Sequence, residues 1–221
     1  AIGRIAEYSG LQFIEAPNHF EAQGARDGVV EASGNLKAIA ASLMKIANDI
    51  RWLGSGPRTG FYEIRLPSVQ PGSSIMPGKV NPVMSEMLTM VCCQVMGNDV
   101  AINFGGSAGN FELNVFLPMM AHNLLQSVSL LANGAQTFAT RCVDGIEANE
   151  ERCTDSVERN LAICTSLAPA IGYDKAAAIS KAAFKSGQNV REVALEWGVL
   201  SEEALSELLA HRKMTEPDAD Q

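Results

Sequence analysis

The sequence predicts an all-α protein built on long helices. Three observations carry that expectation. Between residues 36 and 50 the apolar side chains Leu36, Ile39, Leu43, Ile46 and Ile50 recur in steps of three and four, the seam spacing of a helix bundle. The same spacing returns after residue 82, and clusters of glycine and proline separate the periodic stretches. No long apolar–polar alternation of the strand kind runs anywhere, and no internal repeat or low-complexity tract is present.

In chain order, residues 1–9 read as the last turns of a helix stopped at Gly10, where a left-handed residue suits the C′ position. Residues 11–15 suit a short extended piece, and Ala16-Pro17-Asn18-His19 a turn. One long helix is expected from about residue 20 to residue 53. Inside it Gly24, Gly28 and Gly34 each cost about 1 kcal/mol relative to Ala. They read as points of close helix-to-helix contact, or else as a break.

Gly54-Ser55-Gly56-Pro57 stops that helix, and residues 58–70 form an irregular connection with a short strand around 62–66. A connection this long in a helical domain is usually functional or disordered, and this one leads into a glycine-serine stretch. Asn81 is then expected as an N-cap and Pro82 as the first residue of a helix reaching about residue 104. Met84, Met87, Leu88, Val91, Val95 and Val100 form its apolar stripe. Gly105-Gly106-Ser107-Ala108-Gly109 breaks the pattern. A further helix, about 111–140, is apolar around much of its circumference, as befits a helix buried in a bundle or between subunits. Its polar residues Glu112, Asn114, His122, Asn123 and Gln126 read as hydrogen-bonding positions between helices.

Shorter, more charged helices follow at about 149–167, 175–187, 190–197 and 202–211, the last started by Ser201 with Glu202 and Glu203 in its first turn. The polar tail 214–221 is expected to fray. The expected organisation is residues 1–143 as part of a central helical-bundle domain and residues 144–221 as a small C-terminal helical domain.

Composition narrows the classes. With 221 residues and 47% hydrophobic letters, the chain has enough apolar surface for a sizeable core. No apolar run approaches the roughly 20 residues of a membrane helix, so no membrane partner is expected. The formal charge of -8, without a dense basic patch, argues against nucleic acid. The chain opens on Ala1-Ile2-Gly3-Arg4 with neither a basic n-region nor an apolar h-region, so no secretory signal is expected. Five cysteines without ligand spacing point to reduced thiols in a cytoplasmic setting, with no metal.

The chemistry concentrates in Gly72-Ser73-Ser74-Ile75-Met76-Pro77-Gly78-Lys79-Val80-Asn81-Pro82. Glycines allow a sharp turn, prolines stiffen its exits, and two hydroxyls, an ammonium and an amide lie between. Such a loop suits a small dicarboxylate: Lys79 supplies charge, while Asn81 and the loop amides supply hydrogen bonds. A serine among converging N–H groups and beside an ammonium is also shifted toward its alkoxide, the form in which it acts as a base. The positive end of the helix that follows adds to this field.

Gly72 to Pro82 match every fixed position of the GSSxMPxKxNP signature of the fumarase/aspartase superfamily, whose members add or eliminate water, ammonia or amines beside a carboxylate. The stretch from Lys45 to Arg58, then Cys92-Cys93-Gln94-Val95-Met96-Gly97-Asn98-Asp99, Asn110-Phe111-Glu112-Leu113-Asn114 and Ile171-Gly172-Tyr173-Asp174-Lys175-Ala176-Ala177 resemble class II fumarate hydratase. That resemblance covers nearly the whole chain. It implies reversible hydration of fumarate to (S)-malate through an aci-carboxylate intermediate, without metal or cofactor. By position, Ser73 matches the loop serine that takes the C3 proton of malate, and Lys79 and Asn81 match the residues that hold the carboxylate. Ser74 and the backbone of Val80 match further substrate contacts. Glu86 matches an acidic residue that orients a histidine on another subunit, or else is an ordinary first-turn glutamate. The resemblance also implies a homotetramer with sites shared between chains.

One feature departs from that pattern. Family members are about twice as long, and their histidine-bearing segment and Ser-Ser-Asn loop have no counterpart here. His19, His122 and His211 lie in other contexts and read as structural or surface residues. The chain therefore looks like a carboxy-terminal portion that supplies part of a site. An aspartate ammonia-lyase, or a non-catalytic helical oligomerisation element, remain the alternatives.

Overall fold

The computed structural model describes residues 1–215; residues 216–221, most of the expected frayed tail, lie outside the described residues. The chain divides into two compact units, one of residues 1–60 and 64–147, the other of residues 61–63 and 148–221.

The first unit holds helices α1 (Ile2–Ser9), α2 (His19–Gly24), α3 (Asp27–Leu53), α4 (Val83–Ser107) and α5 (Leu117–Arg141). Gly10 ends α1 at φ 69°, its N–H bonded to the Ala6 carbonyl, as its position in the sequence suggested. The single helix expected from residue 20 is instead two. Ala25 turns extended, at ψ 156°, and α3 restarts at Asp27. Of the three glycines in that stretch only Gly24 marks a close approach: a Cβ there would stand 2.7 Å from the Phe111 carbonyl oxygen, whereas Gly28 and Gly34 face open space.

Helices α3, α4 and α5 pack antiparallel. On one side Val30 of α3 meets Gly106 of α4, and Ser33 meets Asp99. On the other, Gly105 meets Met120, Asn98 meets Ser127 and Gly134 meets Val91, so α4 and α5 keep one register along their length. The core between the three consists of Ala40, Ala47, Leu88, Cys92, Val95, Leu131, Phe138 and Cys142. Burying a side chain such as Leu88 or Phe138 stabilises the unit by about 1.5–3 kcal/mol. The small Ala40 and Ala47, fully buried, leave room for α3 to approach its neighbours.

Two expectations fail in this region. Gly105 and Gly106 do not end α4; they lie inside it, because a Cβ on Gly105 would stand 2.7 Å from Met120 Cγ and one on Gly106 2.5 Å from Val30 Cγ2. They are contact glycines. Nor does α5 start at residue 111. Asn110 and Leu113 exchange backbone hydrogen bonds of 3.0 and 3.1 Å across a turn in which Phe111 takes φ 51°, and Leu117 begins the helix. Buried Asn114 holds this turn, donating from Nδ2 to the Gly105 carbonyl at 2.9 Å and accepting the Phe116 N–H at 2.9 Å.

Of the five polar positions expected to bond between helices, Asn114 and Gln126 do. Asn98 Nδ2 reaches Gln126 Oε1 and Ser127 Oγ, each at 3.0 Å, and Gln94 donates to Asn98 Oδ1 at 2.8 Å. Asn123 bonds within its own helix to the Met119 carbonyl, and His122 and Glu112 are exposed. In this chain α5 is buried on one face only: Met120, Ser127, Leu131, Gly134 and Phe138 are covered, while Leu125 is 67% exposed.

The second unit is a cluster of short helices: α6 (Glu150–Glu158), a 3₁₀ segment (Leu161–Leu167), α7 (Ala168–Ile171), α8 (Tyr173–Ser186), α9 (Val190–Glu196), α10 (Glu202–Leu208) and α11 (His211–Thr215). They enclose Ile163, Leu167, Ile179, Val190, Val193, Leu205 and Leu209. The helix expected over 149–167 stops after Glu158, because Asn160 turns extended and accepts the Ala162 N–H at 2.9 Å, starting a tighter 3₁₀ turn. Asn189 and Glu192 form a capping box on α9. Ser201 caps α10 as expected. The Glu203 backbone N–H and the Ser201 hydroxyl together hold the Glu203 carboxyl below its ordinary range. Residues 61–63 belong here because α6 grips their carbonyls: Asn149 Nδ2 on Tyr62, Asn149 N–H on Glu63 and Arg152 Nε on Phe61, all at 2.9 Å. Among the described residues no helix is long and apolar enough to cross a membrane.

Candidate functional site

The loop from Gly72 to Pro82 closes on itself. Ser73 donates its N–H to the Lys79 carbonyl at 2.9 Å, and Lys79 donates to the Met76 carbonyl at 3.1 Å. The closure depends on glycine twice. A Cβ on Gly72 would collide with the Lys79 carbonyl oxygen, and Gly78 turns the chain at φ 79°. Inside this ring the Ser73 Oγ accepts two backbone N–H groups, from Ile75 and Met76, each at 3.2 Å. Two amide dipoles aimed at one hydroxyl oxygen favour negative charge on it. The converging amides expected on this serine are those of Ile75 and Met76, a choice fixed by the turn's geometry.

The other loop residues differ in exposure. Ser74, Lys79 and Val80 are exposed, and Ser73 and Asn81 half-buried. Neither the Lys79 ammonium nor the Asn81 side-chain amide makes a hydrogen bond or ion pair with any described residue. Asn81 departs from its expected capping role. Its carbonyl accepts the Val83 N–H at 2.8 Å in a tight turn, Pro82 takes the N-cap position at ψ 58°, and α4 starts only at Val83. The Asn81 side chain is thereby left uncommitted.

Glu86 lies half-buried in the first turn of α4, its N–H on the Pro82 carbonyl at 3.1 Å and its own carbonyl accepting the Thr89 hydroxyl at 2.8 Å. A carboxylate there is favoured by the helix dipole. The three histidines are engaged elsewhere or exposed. His19 opens α2 and meets Glu15 at 3.0 Å, His122 is exposed on α5, and His211 opens α11 and meets Glu158 at 3.3 Å. Among the described residues no three His, Cys, Asp or Glu side chains are placed to hold a metal. A cavity of about 500 Å³ in the second unit is lined by Asp155, Glu158 and Glu192 among others. Its three carboxylates outnumber Arg159, the cation in its lining, which already pairs with Asp155 at 2.8 Å, so it is a poor host for a dianion.

Sequence reasoning passed over Ser85. It sits on the buried stripe of α4, one turn before Leu88, fully buried, and its Oγ has no hydrogen-bond partner among the described residues. A polar letter on an apolar stripe was the available signal.

Comparison with known proteins finds close relatives. A lyase family matches residues 1–97, and the fumarase C C-terminus family matches residues 163–216. A class II fumarate hydratase of Neisseria meningitidis is 52% identical over 98% of this chain and 47% of its own length. Among solved structures, a fumarate lyase:delta crystallin from Brucella melitensis superposes with a TM-score of 0.86 at 48% identity, over 94% of this chain and 47% of that one. A class II fumarase from Schistosoma mansoni gives 0.84 at 41% identity, over 89% and 41%. The chain spans about half the length of the curated relatives it matches.

Proposed function

Because the chain belongs to the fumarase family of lyases, we propose that it forms part of a fumarate hydratase, which interconverts (S)-malate and fumarate. The observation that carries the reading is the pair of N–H groups on Ser73 Oγ. In the dehydration direction Ser73 takes the C3 proton of malate, and the charge spreads onto the adjacent carboxylate as an aci-carboxylate. Lys79 and Asn81 hold that carboxylate, and their donors bind it more strongly as its charge grows, which lowers the barrier. The C2 hydroxyl then takes a proton from an acidic group on another chain and leaves as water. Ser74 and the Val80 backbone contribute further contacts. Glu86 orients a histidine that acts from another chain, in the way a third group holds a catalytic base.

The same reading makes the assembly a homotetramer with shared sites. It is supported by the large apolar side chains left exposed on the three long helices, Ile39, Ile46, Met90, Phe104 and Leu125 among them. The five free cysteines suit a cytoplasmic setting. The test is ultraviolet absorbance of fumarate formed from malate by the assembled enzyme that contains this chain. Ser73→Ala is expected to lower turnover by orders of magnitude while sparing assembly, and near-normal turnover would remove Ser73 from the base role.

A further inference from the structure

The hydroxyl of Ser85 is fully buried and unpartnered among the described residues, in the first turn of the helix that leaves the loop. Buried hydroxyls are nearly always hydrogen-bonded, because desolvation without a partner is costly. A serine inside a helix ordinarily donates to the carbonyl four residues back. For Ser85 that carbonyl is Asn81, which meets the Val83 N–H at 2.8 Å and makes no bond to the hydroxyl; nor does the carbonyl three back, Pro82, which meets the Glu86 N–H at 3.1 Å. Pro82, at ψ 58°, keeps Asn81 out of helical register. The missing partner of Ser85 and the late start of α4 are thus two sides of one conformation.

We propose that Ser85 is a positioning residue for Asn81. With a dicarboxylate bound, α4 extends back by one residue, the Asn81 carbonyl leaves the Val83 N–H, and the Ser85 hydroxyl donates to it. That bond fixes the backbone that carries Lys79 and Asn81 while their donors hold the carboxylate. The unpartnered hydroxyl disfavours this helix start and its new bond favours the extended one, so a ligand that prefers the extended start shifts an existing balance between the two. The inference rests on the reading of Asn81 as a carboxylate ligand.

The two roles of Ser85 separate in an alanine variant of the assembled enzyme. Ser85→Ala removes a hydroxyl that has no partner among the described residues, so its thermal midpoint is expected to equal or exceed that of the parent. Its kcat/KM is expected to fall about tenfold, the loss of one hydrogen bond gained when the dicarboxylate binds. Ser85→Cys, a weak donor of similar size, is expected to fall between the two. An unchanged kcat/KM in Ser85→Ala, or a lowered midpoint, overturns the proposal; the second outcome makes the hydroxyl a structural contact. Asn81→Ala is measured alongside. If that variant turns over normally, the reading of the site has failed; if it is inactive while Ser85→Ala is normal, only the positioning role has failed.

Discussion

Gly72 presses its Cα so closely against the carbonyl oxygen of Lys79 that no Cβ fits between them. This contact lies beside the Ser73 N–H bond to the same carbonyl, which shapes the ring around the Ser73 hydroxyl. Gly72→Ala is therefore expected to open the ring and scatter the two amides from Ser73. Misplacing a reacting group by about an ångström costs on the order of a hundredfold in rate. Turnover should fall by about that factor, while the melting temperature stays within a few degrees because Gly72 is exposed. Steady-state kinetics and a melting curve on the same preparation check both.

A second prediction concerns the centre of the bundle. Burial alone would raise the Asp99 carboxyl, but the Lys37 ammonium at 2.6 Å and the Ser33 hydroxyl at 2.7 Å outweigh it and hold the carboxyl below its ordinary range. A carboxyl depressed by folding stabilises the fold above its unfolded value of about 3.9. That contribution fades as pH drops below this value and through the folded one. Urea midpoints measured from pH 6 downward should show an acid loss in the parent that is smaller in Asp99→Asn. Lys37→Met at neutral pH should cost about 2 kcal/mol, less than the 3–5 of a fully buried pair, because Lys37 is half-exposed. Equal acid profiles for parent and Asp99→Asn would contradict the assignment.

The thiols make a third. Burial pushes Cys92 and Cys142 above the usual thiol range, while Cys93, the neighbour of Cys92, is exposed. Thiolate is the reactive form, so alkylation near neutral pH should spare Cys92 and Cys142 in the folded chain and reach them only on unfolding. Mass spectrometry of peptides from native and denatured samples reads this directly. Modification of Cys92 in the native sample at the rate seen after denaturation would contradict its burial.

Much of this architecture was legible in the sequence, and the failures have physical causes. The steps from Leu36 to Ile50 located α3, and Gly10 and Ser201 marked a helix end and a helix start, because capping is decided by neighbours in the chain. Gly105 and Gly106 misled because a glycine that breaks a helix and one that lets Met120 or Val30 close in are the same letter. Asn81-Pro82 read as a standard helix start, yet the turn to Val83 overrides it. Periodicity placed α5, but it could not say that much of its apolar surface is left uncovered by this chain. For the candidate site, the fixed letters of the loop singled out Ser73, Lys79 and Asn81 as candidates, whereas the particular amides on Ser73 and the unpartnered Ser85 emerged only in three dimensions.

The measurement that bears most directly on the account is fumarate production by the assembled enzyme from malate and, separately, from aspartate. Both reactions remove a C3 proton beside a carboxylate and differ in the group that leaves C2. The account predicts fumarate from malate, lost in Ser73→Ala, and none from aspartate. Fumarate from aspartate with none from malate would make the protein an ammonia-lyase and contradict the hydratase assignment.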